Sequence, residues 1–246
     1  MADDEQISIP GGFLSAINGR RILIGAVLVL VATCLITQAF VQFAGGPRDE
    51  PIDLSDQVSD SYPEIPEIIM WKGLPPFISS GGVFEPEKTI FTIGLSLSGI
   101  LFVIMGLDFG VRTHRLLALI GAQPWRKVCN ILGVVSSICA GSGLVMITIY
   151  PFNVALVKHI FFAMVILYSA FFWVLFTSLS RGSTEDSNLI WKGQKITLWR
   201  RIIVVVVFIS LILTLYAPPA GYMTIGAFFE WMLLFSAMAG LLSNLP

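Results

Sequence analysis

Six long apolar runs, roughly residues 22–43, 89–111, 128–149, 154–180, 201–217 and 222–243, leave this chain few ways to fold. A helix needs about 20 apolar residues to cross a hydrocarbon layer about 30 Å thick, and the runs meet or approach that length. None alternates apolar and polar residues as a barrel strand must, and lipid offers no partner for an unpaired backbone group. The chain is therefore expected to be all-α. It reads as a polytopic membrane protein, a six-transmembrane-helix bundle with a long first outward loop. Only 13% of its residues are charged, against about 25% in soluble domains, and that charge collects between the runs. A net charge of −1 gives no reason to expect nucleic acid as a partner.

Basic residues set the expected orientation. Arg20 and Arg21, then Arg112, Arg115, Arg126 and Lys127, then Arg181, Lys192, Lys195, Arg200 and Arg201 all fall on one side, 11 of the 15 Lys and Arg. The other side has Arg48, Lys72 and Lys88, and Lys158 lies inside the fourth run. The positive-inside rule then makes both termini cytoplasmic and turns residues 44–88 outward. Residues 1–21 form a cytoplasmic segment and 22–243 a single membrane domain. The first run is longer than a signal-peptide core and no small-residue cleavage site follows it, so it reads as an uncleaved span.

The outward loop divides in two. Residues 48–67 are acidic and proline-punctuated and are expected to be extended. Residues 68–88 are more apolar, and Trp71, Phe77 and Phe84 suit the headgroup level. The loop has no cysteine, and Cys34, Cys129 and Cys139 lie in apolar runs with no Cys-x-x-Cys spacing. No disulfide framework, metal site or cofactor is indicated.

Ionisable residues inside a span are functional candidates by default, because each costs several kcal/mol to insert. Glu230 and His159 lie roughly 12 Å and 8 Å in from the outer ends of the sixth and fourth runs, at 1.5 Å per residue. Three readings stay open for them: a structural polar contact between helices, a lipid-headgroup or ligand site, and an acid–base pair. Lys158 can snorkel outward or meet lipid phosphate. Glu85 and Glu87 flank Pro86 where the second run begins, and helix-start chemistry accounts for all three residues. The sharper alternative places Glu87 with His159 and Glu230 in one outward-facing polar cup. Asp108 and Arg112, at i, i+4 spacing near the inner end of the second run, read as an interface pair. The small-residue stretch 141–143 around Ser142 reads as helix packing and not as a serine nucleophile.

Residues 75–94, PPFISSGGVFEPEKTIFTIG, carry a resemblance. Pro76, Phe77, Ile78, Ser79, Gly81, Gly82, Pro86, Glu87 and Phe91, with His159 and the Glu230–Trp231 pair, resemble the DRAM-like family of six-span membrane proteins. That family includes autophagy modulators and the Cwh-type N-terminal domains associated with GPI-lipid remodelling. Its members often carry an acidic residue after the Ile-Ser, where this chain has Ser80. A second group of bacterial and archaeal six-span proteins shares the intramembrane His. The resemblance implies a non-enzymatic lipid-binding, membrane-organising or scaffold role linked to lipid remodelling or trafficking. Membrane lipids are the expected partners, with a membrane protein as a further one. The alternatives are a lipid-modifying enzyme using His159 and Glu230 near the outer leaflet, and a small-solute transporter.

Overall fold

The apolar runs all become helices. In the computed structural model, which describes residues 11–57, 68–69, 72–73, 75–182, 190–191 and 194–244, the helices are α1 (Ala16–Phe43), α2 (Glu87–Leu119), α3 (Pro124–Ile149), α4 (Phe152–Arg181), α5 (Ile196–Tyr216) and α6 (Met223–Leu242). All six are long and apolar enough to cross a membrane. Local chemistry sets several of their ends. Ser15 caps α1 by accepting the Asn18 N–H at 3.2 Å, and Pro124, which has no N–H to satisfy, opens α3. Gly182 ends α4 at φ +57°, a conformation that glycine takes without strain.

Helix and apolar run do not share boundaries. α2 continues past residue 111 to Leu119 and carries Arg112, His114 and Arg115 with it. Charged residues stop a segment being apolar but do not stop it being helical, since Arg and Leu have similar helix propensities.

Between the helices lie 3-10 turns at Gly46–Asp49 and Ile78–Gly82 and two short antiparallel ladders. The ladders pair Ile52–Asp53 with Ile68–Ile69 and Ile190–Trp191 with Gln194–Lys195. Trp71, Lys192 and residues 58–67 of the acidic stretch lie outside the described residues.

α1 to α4 pack each against the next, and α5 pairs with α6. The α5–α6 hairpin touches the other four helices more sparsely. Large apolar side chains such as Leu28, Ile100, Phe161 and Phe208 cover the outside. Such a surface is unfavourable in water and matched in lipid.

Small residues let α2 and α3 approach closely. A Cβ at Gly99 or at Gly141 would strike the carbonyl oxygen of the other, and one at Gly106 would strike Ser137. Backbone cannot step aside as a flexible side chain can, so Gly141→Leu is expected to destabilise the bundle by about 2 kcal/mol, within the range for overpacking. Thermal unfolding in detergent would check this, with Ser142→Leu as the control. Ser142 is exposed on the same turn, and an equal loss there would refute the close-approach argument.

Candidate functional site

The Ile78–Gly82 turn closes one end of the bundle, and side chains from both α1 and α6 hold it there. Gln38 on α1 donates from Nε2 to the carbonyls of Phe77 and Ile78 at 2.9 and 3.0 Å and to the Ser80 hydroxyl at 2.9 Å. From α6, Glu230 Oε2 accepts the Ile78 N–H at 2.8 Å. The neighbouring Trp231 donates its indole N–H to the Pro76 carbonyl, also at 2.8 Å. The turn fits against α1 because position 81 has no side chain. A Cβ there would run into Thr37. Pro76, Ile78, Glu230 and Trp231 thus meet in one set of hydrogen bonds, and Ser80 joins it through Gln38.

Beneath this turn lies a cavity of about 100 Å³. Its walls run from Phe91 to Phe102 on α2, from Ala163 to Val174 on α4 and from Glu230 to Leu241 on α6, with α1 and α3 completing it. Each of those stretches covers roughly 16 Å at 1.5 Å per residue. So small a volume drawn out over that length is a narrow slot. The walls are almost wholly apolar. Ser79 and Glu230 stand at the end nearest the turn, and no Lys, Arg or His lines the slot among the described residues. An apolar cavity of this kind stays dry and accepts hydrocarbon. Its position follows from the helix packing, since it opens where α6 faces the four-helix unit that it touches sparsely.

The other predicted residues have separate partners. The Glu87 side chain is fully buried against Arg48, with Nε to Oε1 at 2.7 Å and NH2 to Oε2 at 2.8 Å. The carboxylate holds the Arg48 guanidinium above its ordinary value. Helix-start bonding falls to Glu85, whose Oε2 accepts from the Thr89 hydroxyl at 2.7 Å and from its N–H at 3.3 Å. His159 is buried, with Nδ1 2.8 Å from the Tyr150 carbonyl and its ring edge-on to Phe152. Lys158 sits over the Tyr150 ring, 5.0 Å from its centroid. Glu87, His159 and Glu230 therefore each bind a different group, and neither Glu87 nor His159 lines the slot.

At the opposite end of α2, Asp108 and Arg112 form a buried pair at 2.6 Å. Asp108 Oδ1 also accepts the Leu14 N–H at 2.9 Å, and Arg112 donates to the Leu14 carbonyl at 2.7 Å.

The family model for the Frag1/DRAM/Sfk1/Cwh43P N-terminal domain matches residues 20–243. The chain belongs to this family. Neither the curated proteins nor the solved structures contain a significant match to it. In this Frag1/DRAM-family protein two glutamines hold structure that the sequence reading did not assign. Gln38 is one, and an amide inside an apolar run was itself a signal, since such groups seek partners across helices. Gln57 is the other. It donates to the Asn153 carbonyl at 2.7 Å and accepts the Leu156 N–H at 2.9 Å, where α4 departs from helical geometry at Ala155. A glutamine in a polar loop carries no such signal.

Proposed function

We propose that this Frag1/DRAM-family membrane protein is a non-enzymatic lipid binder whose slot holds one hydrocarbon chain. The observation that supports this most directly is the slot itself, long, narrow, apolar and closed at one end by the Ile78–Gly82 turn that Glu230 and Trp231 hold in place. Small-ligand sites are usually of this kind, apolar with a few placed polar groups. In this reading the first loop and the bundle end beneath it present bound lipid to the membrane or to a membrane-protein partner, in lipid remodelling or trafficking. The separate partners of His159 and Glu230 favour binding over acid–base chemistry, which needs the two groups within reach of one substrate atom.

The test is lipid carried through purification. Mass spectrometry of the detergent-solubilised protein should find tightly held lipid. Ala163→Phe, which places a ring in the slot, should remove most of it while the unfolding temperature is kept. Equal lipid in both proteins would refute the slot as its site.

The proposed orientation, with both termini cytoplasmic, is tested at Ser55, an exposed loop residue. In a background lacking Cys34, Cys129 and Cys139, Ser55→Cys should react with a membrane-impermeant maleimide added to intact cells. Labelling only after the plasma membrane alone is permeabilised, with internal membranes left sealed, would reverse the orientation.

A further inference from the structure

The polar end of the slot is one-sided in its chemistry, and that bears on which head a bound chain carries. Glu230 contributes a carboxylate to the wall, and Oε2 is taken by the Ile78 N–H. Oε1 has no hydrogen-bond partner among the described residues. Ser79, beside it in the turn, adds a hydroxyl. No cationic side chain lines the slot among the described residues. An anion placed here would lie beside the Glu230 carboxyl oxygen among apolar walls, and no cationic side chain among those that line the slot would neutralise it. A hydrogen-bond donor would instead satisfy the open oxygen, which otherwise faces only apolar walls and a hydroxyl.

We propose that the slot selects a single hydrocarbon chain ending in a hydrogen-bond donor, a hydroxyl or a protonated amine, and discriminates against chains ending in carboxylate or phosphate. Specificity comes from Glu230, while the apolar walls accept any chain of suitable length. This rests on the reading of the slot as a lipid site. It also gives Glu230 two tasks at once. Oε2 fixes the turn that closes the slot, and Oε1 reads the head of what enters.

The experiment is a competition assay on the full-length protein in a neutral detergent, with a fluorescent alkyl probe displaced by tetradecylamine, tetradecanol, tetradecanoate or tetradecyl phosphate. Each is measured against Ala163→Phe to remove partition into the micelle. Amine and alcohol should each displace the probe at least tenfold better than the two anions, and their relative strength tells which donor is preferred. In Glu230→Gln, which keeps an acceptor for Ile78, the tenfold gap should shrink to about threefold or less. The ranking in the wild-type protein stands as a test even if that variant does not fold. Equal displacement by all four chains, or a gap unchanged in a folded Glu230→Gln, overturns the head-group selection and leaves the slot reading standing. Displacement identical in wild type and Ala163→Phe overturns the slot reading itself.

Discussion

Arg48→Ala is expected to lower the unfolding free energy by about 3–5 kcal/mol, the usual result of stranding one partner of a buried ion pair. The size follows from what Arg48 does. Its guanidinium clasps both oxygens of Glu87, donates to the Glu85 carbonyl at 2.7 Å and to the Gly45 carbonyl at 3.2 Å, and lies over the Phe84 ring. Glu87 is 0% exposed, so losing Arg48 leaves a buried carboxylate without its partner. Arg48→Lys should also lose stability, because an ammonium cannot reproduce the planar two-point contact. The double variant Arg48→Met with Glu87→Met provides the decisive comparison. Removing both charges leaves no unpaired group, so it should be more stable than either Arg48→Ala or Glu87→Ala. SDS titration from mixed micelles would measure all four. A double variant less stable than both singles would mean that the pair's attraction, and not the stranded charge, dominates.

The sequence exposed the helices and hid most of the contacts between them, for reasons visible in particular residues. A span is written in consecutive residues, so VVVVFISLILTLY can be recognised without knowing what lies beside it. The Asp108–Arg112 pair could be read for the same reason, because helix geometry alone brings i and i+4 together. Arg48 and Glu87 are separated by most of the first loop, and no local rule brings them to 2.7 Å. With that partner unseen, helix-start chemistry was a sufficient account of Glu87. The motif at Pro76–Ser80 was visible as a pattern of residues, but what it binds was not. Its partners Gln38, Glu230 and Trp231 come from the first and last helices. The slot was least accessible of all, since it is a property of how five helices fail to fill the space between them.

Arg112→Met is expected to cost about 3–5 kcal/mol, by the same stranding of a buried carboxylate, with a signature that the Arg48 variant lacks. Asp108 is 0% exposed and Arg112 2%. Together they bind the N–H and carbonyl of Leu14, and Arg115 donates to the Gly11 carbonyl at 2.5 Å. Losing Arg112 should therefore release residues 11–14 and the start of α1, seen as faster amide hydrogen exchange there while exchange around Arg48 is unchanged. Arg48→Ala should do the reverse. The separation follows from α2. Glu87 and Asp108 are 21 residues apart on one helix, roughly 32 Å at 1.5 Å per residue, which matches a hydrocarbon core of about 30 Å. Two buried ion pairs are thus spaced along α2 by about the thickness of a hydrocarbon core. One fixes the segment before α1 and the other the segment after it. Pairs so far apart share no partners, so the combined Arg48→Ala, Arg112→Met variant should show the sum of the single losses to within about 0.5 kcal/mol. A combined loss well short of that sum would mean that α2 transmits strain between its ends, and the two clasps would have to be treated as one unit.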